Sequence, residues 1–356
     1  MPQVWKTSLA VDYQLPTSFP LSVTGEFNYT KNINAVRLDN WNIPENTSGW
    51  ERFSGTDNRL IYPKDYTYQK QAAYVLTNTS KGYGWTANLT VNATPVKDLN
   101  IMASYTHTVM KEVSGMPGSN ASSAWSGLYT IDGPNFAKVQ TSQYVIPDRI
   151  IASINYNVWH EHFTLFYTGY SPAGYTYYYN GDMNGDGVSG DLMYIPRNDS
   201  EINFVDKFDK DGNQTVSAQQ DRADFWKFVE QDSYLKNHKG EYAEAYSTRA
   251  PWVHRFDFRW AHDFTLNIGN TKHVLQLSAD IENLGNLINS NWGVAKNMTP
   301  ANNGAILKYE GKNDANQPTF SLYRDKAGKA PTQTWEYNRD WGQAWRIQFG
   351  VKYYFN

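Results

Sequence analysis

Apolar and polar residues alternate with a period of two along nine stretches of this chain, the pattern of strands with two unlike faces. From Trp5 the mainly apolar set is Trp5, Thr7, Leu9, Val11 and Tyr13, with Lys6, Ser8, Ala10 and Asp12 between them. The second stretch sets Leu21, Val23, Gly25, Phe27 and Tyr29 against Ser22, Thr24, Glu26, Asn28 and Thr30. The third sets Tyr83, Trp85, Ala87, Leu89 and Val91 against Gly84, Thr86, Asn88, Thr90 and Asn92. Leu99–Tyr105, Ile150–Val158, Phe163–Tyr167, Phe256–Trp260, Leu275–Ile281 and Trp345–Phe355 repeat it, so the alternation predicts nine strands.

The connections between these strands alternate in length. Short ones fall near Gln14–Pro20, Thr94–Asp98, Val158–His162 and Asn267–Lys272, and long ones near Lys31–Gly82, Thr108–Asp148, Ser171–Val253 and Gly285–Ala344. Compact soluble domains seldom carry loops of that length, whereas outer-membrane barrels pair short inner turns with long outer loops. The facing chemistry agrees. The apolar sets contain no charged residue, while Lys6, Asp12, Glu26, Arg255, Asp257, Arg259, Asp280, Glu282, Arg346 and Lys352 fall on the other face. Aromatic residues mark the strand ends, with Trp5, Tyr29, Trp85, Tyr105, Tyr167 and Trp345 towards the long loops and Tyr13, Tyr353 and Phe355 at the opposite end. Such rings suit the headgroup level of a bilayer. His107 and His262 interrupt the pattern and are expected beyond the membrane boundary.

The fold class expected is therefore all-β, a partial antiparallel transmembrane β-barrel of about nine strands with long extracellular loops and one short loop helix. That helix is expected within Gln219–Lys236, where Phe225, Trp226, Phe228, Val229 and Leu235 recur at helical spacing. The competing fold is a soluble β-sandwich, in which the same apolar faces would form a core.

Composition narrows the function. Mean hydropathy is −0.65, and no apolar run is long enough for a transmembrane helix, but strand alternation hides a barrel from such averages. Cysteine is absent, which removes disulfides, thiol catalysis and thiolate metal sites. A net charge of −3 without a basic block speaks against nucleic acid as a partner. The N-terminus, MPQVWKTSLA, lacks an export signal, so the barrel reading implies a chain that continues upstream of Met1, with the 356 residues forming one incomplete domain.

Three segments carry a family resemblance. FVEQDSYLKNHKGEYAEAYSTRAPWVHRFDFRW (Phe228–Trp260), LQLSADIENLGNLIN (Leu275–Asn289) with Asn283–Leu284, and the closing WRIQFGVKYYFN are similar to the late barrel strands of TonB-dependent receptors of Bacteroidota, in the Oar-like group. The resemblance runs from about Asp224 to the end and departs from outer-membrane proteins in ending on Asn356 after Phe355. It implies a 22-stranded barrel with an N-terminal plug, energised through TonB and importing a nutrient across the outer membrane. Neither plug nor TonB box is recognisable in the sequence.

Among candidate sites, Asn180–Asp191 reads NGDMNGDGVSGD. Asp182, Asn184 and Asp186 place oxygens at alternate positions before Gly187, like the opening of a calcium loop, and Asp191 or the Val188 carbonyl is the expected closing ligand because Met193 at the twelfth position cannot ligate. An acidic hairpin turn is the alternative, and calcium is the one cofactor suggested. Gly185, Gly187 and Gly190 imitate a dinucleotide fingerprint without its strand and helix, and His160-Glu161-His162 reads as a solvated turn rather than a zinc site. No Gly-x-Ser-x-Gly elbow occurs, no catalytic residue is assigned, and the chain is not expected to be an enzyme. Tyr175, Tyr177, Tyr178, Tyr179, Trp41, Trp50, Trp125 and Trp292 lie in the long loops, where they would either stack on a ligand or pack against one another. The function expected is outer-membrane import, with lipid, an unidentified nutrient and the TonB system as partners. The alternatives are a secreted carbohydrate-binding β protein and a barrel enzyme.

Overall fold

The computed structural model describes residues 1–64, 72–172, 174–298 and 304–355, so Asn356 lies outside the described residues. Nine long strands form one antiparallel sheet in which spatial order equals chain order. They are β1 (Gln3–Gln14), β2 (Leu21–Asn40), β3 (Tyr83–Val96), β4 (Leu99–Glu112), β5 (Asp148–Val158), β6 (Glu161–Tyr170), β7 (Val253–Ile268), β8 (Thr271–Glu282) and β9 (Arg346–Phe355). The nine alternating stretches thus all become strands. Among the described residues the sheet is open, with β1 paired only to β2 and β9 only to β8.

Because every neighbour is antiparallel and consecutive, connections leave alternately from opposite rims. The four short turns lie on one rim and the four long connections on the other. Several strands run past their alternating cores. β2 continues to Asn40 because Tyr74–Thr79 folds back onto Ala35–Asn40, extending the ladder where side-chain alternation has already stopped. β4 likewise reaches Glu112, where Gln140–Thr141 pairs with it.

Register also sets the slope of the sheet. Tyr13, Val23, Val91, Ala103, Ala152, Tyr167 and Phe256 are successive cross-strand partners on the apolar face. Tyr13 stands one residue from the short-turn end of β1, whereas Phe256 stands twelve from the short-turn end of β7. The strands are therefore offset from one another, by the largest step between β6 and β7.

The two faces differ as the alternation predicts. On the apolar face nothing covers Leu9, Leu89 or Phe349, which are 66%, 52% and 80% exposed. Aromatic contacts follow the rims, with Trp5 edge-on to Tyr29 and Phe27 beside Trp85 at one end, and Tyr353 beside Phe355 at the other. On the polar face the hydrogen bonds run between strands. Asn88 donates to Ser104 and Thr106 at 2.9 and 2.7 Å, and Arg259 pairs with Asp280 at 2.8 Å. The two histidines that break the pattern each sit beside a carboxylate at a strand end, His107 with Asp148 at 2.7 Å and His262 with Glu161 at 2.6 Å.

The buried core lies almost wholly in the long connections. One cluster joins Phe53 of the first, Tyr177, Met193, Phe225 and Phe228 of the third, and Ile306, Leu307 and Phe320 of the fourth. A second joins Leu38, Leu60 and Tyr62 to Trp125 of the second connection and Val188 of the third. Together they build a cap above one rim. Its main helix, α2 (Ala218–Gln231), starts at Ser217, whose side chain accepts from the Gln220 N–H. It buries Phe225, Phe228 and Val229, as the helical spacing predicts. The expectation of one short loop helix is corrected, because α1 (Ala121–Ser126) and α3 (Leu284–Ile288) also form among the described residues. Helices of six and five residues are too short to show a period. The signal for α1 is its cap, where Asn120 and Ser123 bond each other's backbone.

Candidate functional site in the cap

The acidic loop folds tightly within the cap, against Tyr62 and Thr130. Gly185 and Gly187 take φ of +78° and +76°, the left-handed region where glycine has no steric penalty. These turns aim backbone N–H groups at Asp182, whose oxygens accept from Gly185 at 2.7 Å, Asp186 at 3.1 Å and Gly187 at 2.6 Å. Asn184 Oδ1 accepts from the Asp186 N–H at 2.8 Å, and Asp186 Oδ1 accepts from the Val188 N–H at 2.8 Å. Asn184, Asp186 and Asp191 are buried.

Electrostatics make this loop costly. Burial pushes the Asp186 carboxyl well above its ordinary range, helped by the charges of Asp191 and Asp182. Burial likewise raises Asp182, against the backbone N–H groups that favour its anion. Asp191 is pushed up to about 7 by burial, although Arg59 pulls the other way. Carboxyls so placed gain from a positive charge.

Part of that charge comes from the chain itself. Arg59, fully buried, contacts Asp57 at 2.9 and 3.1 Å, Asp191 at 3.3 Å and the Leu192 carbonyl at 2.6 Å. Its guanidinium also lies 4.9 Å from the Tyr179 ring centre and 5.5 Å from that of Tyr242. Burial works against this charge, but Asp57 and Asp191 outweigh it and hold the guanidinium firmly protonated. Sequence reasoning missed Arg59 and Asp57, because apart from each other their partners Asp191, Tyr179 and Tyr242 are more than a hundred residues away.

The expected ligands are thus divided. Asp182, Asn184 and Asp186 remain together, whereas Asp191 is committed to Arg59 and to the Met183 N–H at 2.8 Å. Met193 is buried in the cap core, away from any ligand role. Among the described residues no three His, Cys, Asp or Glu side chains group so as to hold a metal ion. The oxygen-only set of two carboxylates and one amide is of the donor type that a hard cation such as calcium takes. With calcium bound, hydrogen exchange of Gly185–Gly190 should slow, and replacing Asp182 and Asp186 together with Asn should abolish that change. A titration that leaves the unmodified loop unchanged removes calcium from consideration.

The other motifs are dispersed. His162 bonds Asn157 at 2.8 Å and Asp263 at 2.9 Å, while Glu161 faces the opposite side of β6 with Trp260 and His262, so the His-Glu-His run does not converge. No helix follows the glycine triplet. Of the loop aromatics, Tyr177, Tyr179 and Trp125 are packed inside the cap, whereas Trp41 and Trp292 are exposed. Tyr177 donates to the buried Asp232 at 2.8 Å, and Asp232 also accepts from Thr334 at 2.5 Å. Burial and that carboxylate push the Tyr177 phenol well up, so it remains a donor.

No protein-family profile, no curated protein and no solved structure matches this chain.

Proposed function

We propose that the nine strands are part of the wall of an outer-membrane β-barrel and that the chain serves TonB-dependent import, with the cap as its outer, ligand-capturing side. One observation carries this reading. The sheet's apolar face leaves large apolar side chains exposed on eight of its nine strands and half-buried on β6, while the buried core sits in the loops above one rim. In water such a face would be a large uncovered apolar surface, which soluble monomers avoid. In a bilayer it is the surface that must be apolar. Rim aromatics and the offset of the strands across the sheet support the same reading. The nutrient, the TonB system and a plug outside this chain are the partners proposed from the resemblance of the late strands. The second reading, a secreted carbohydrate-binding protein, leaves the apolar face unexplained.

The absence of native cysteine makes the test direct. Single substitutions Leu89→Cys, Ile154→Cys and Val351→Cys, each carrying an environment-sensitive dye, should shift to the blue in phosphatidylcholine vesicles and be quenched by nitroxide-labelled lipid. Asn92→Cys and Asn155→Cys, on the other face, should not respond. Equal behaviour of the two sets would reject the wall.

A further inference from the structure

The cap carries a second open feature, a groove of about 560 Å³ at the outer end of β2, lined by Arg37, Asp39, Asn40, Trp41, Glu45 and Asn135 among others. This is within the size range of ligand clefts. We infer that it binds a neutral oligosaccharide, with one sugar ring stacked on Trp41 and its hydroxyls held by Arg37, Asp39 and Asn40.

Three observations carry the inference. Trp41 is 67% exposed, although its backbone is fixed by an N–H bond to the Ala73 carbonyl at 3.0 Å. An indole left uncovered at the groove is a flat apolar plate, and it suits the C–H face of a sugar ring, which has hydroxyls around its edge.

The second is Asn40. It is wholly buried and lines the groove, and most of its polar atoms are engaged. Its N–H donates to Asn135 Oδ1 at 2.9 Å, its carbonyl accepts from Asn135 Nδ2 at 2.9 Å, and its Oδ1 accepts from the Asn42 and Ala73 N–H groups. Only Nδ2 has no partner. A buried amide donor left over is costly, and a ligand oxygen would satisfy it.

The third is charge. Arg37 and Asp39 bond each other, Arg37 also donates to the Asn135 carbonyl at 2.7 Å, and Asp39 accepts from Thr77 at 2.5 Å. The pair cancels its own net charge yet offers both donors and acceptors, and Glu45 adds a carboxylate that accepts from hydroxyls and repels anions, so the groove matches a neutral polyol better than an acidic ligand. Sites built this way discriminate strongly for the hydroxyl that completes them.

As the nutrient class of an importer, the inference rests on the proposed function. As a binding site it is tested separately, in detergent, where lipid insertion is not required. The full chain, dye-labelled in dodecyl maltoside micelles, is passed over an array of neutral oligosaccharides, acidic oligosaccharides and unstructured peptides, with dye-labelled empty micelles as the blank. At least one neutral oligosaccharide should bind, and Trp41→Ala should weaken it tenfold or more without shifting the thermal transition, since the indole is exposed. No binding to any neutral oligosaccharide, undiminished binding by the variant, or binding confined to the acidic glycans or peptides would each overturn the assignment.

Discussion

Leu89→Arg should abolish stable insertion into lipid, while Asn92→Arg, three residues along the same strand, should leave it intact. Leu89 lies well within β3 on the exposed apolar face, with Gly25 and Tyr105 as its cross-strand neighbours. A cation there would face the hydrocarbon at a cost of about 2–4 kcal/mol. Asn92 is on the opposite face, level with Ser22 and Met102, where water is expected to solvate an added charge. The measurement is the fraction of protein floating with vesicles in a density gradient after refolding. A soluble protein predicts no difference between the two variants, because a charge added to an exposed surface costs little, within about 0.5 kcal/mol, on either face. Equal flotation of both variants and the unmodified chain would contradict the wall.

Replacing Arg59 with Met should loosen the cap and spare the sheet. The guanidinium bridges Asp57 of the first long connection to Asp191 of the third, and both carboxylates are buried with it. Removing one partner from such a set leaves uncompensated buried charge, at a cost of about 3–5 kcal/mol. Asp191 would keep its proton to higher pH once the pull of Arg59 is gone, since burial and the neighbouring acids are then opposed only by the Met183 N–H. Lysine should not rescue the variant, because a point charge cannot reproduce the paired contacts to Asp57. Hydrogen exchange should accelerate through Phe53–Tyr62 and Tyr177–Ile195, where the core is shared, and remain slow in β3 and β4. Uniform acceleration across both regions would mean that cap and sheet are one cooperative unit.

The sheet was legible because its information is local. Leu89 and Thr90 differ in polarity one residue apart, and that contrast, repeated nine times, sets both the strands and the face each side chain takes. The long and short connections then fix which rim carries the cap. Strand ends were less legible, since the pairing of Tyr74–Thr79 with Ala35–Asn40 depends on hydrogen bonds that side-chain pattern does not encode. The cap interior was legible only for α2, whose apolar face has a period. Nothing around Arg59 distinguishes it from a solvated loop arginine, and nothing around Tyr179 says that it will stack on Phe320 at 4.7 Å. Those contacts join irregular segments, where position in the chain carries no information about position in space.

The order of the sheet also bears on how dearly the cap is assembled in entropy. Each strand pairs with its successor, yet the cap joins Glu51 to Lys312 and Arg52 to Asn316, pairs 261 and 264 residues apart. For a free chain the cost of closing such loops grows with the logarithm of their length. Here the strands have already folded that length back and forth, so the separation that counts is a few steps along one rim. The sheet acts as a linker of fixed reach, setting the effective concentration at which the four connections meet. A cap made of irregular segments can then hold together on contacts that would be too weak to gather it unaided.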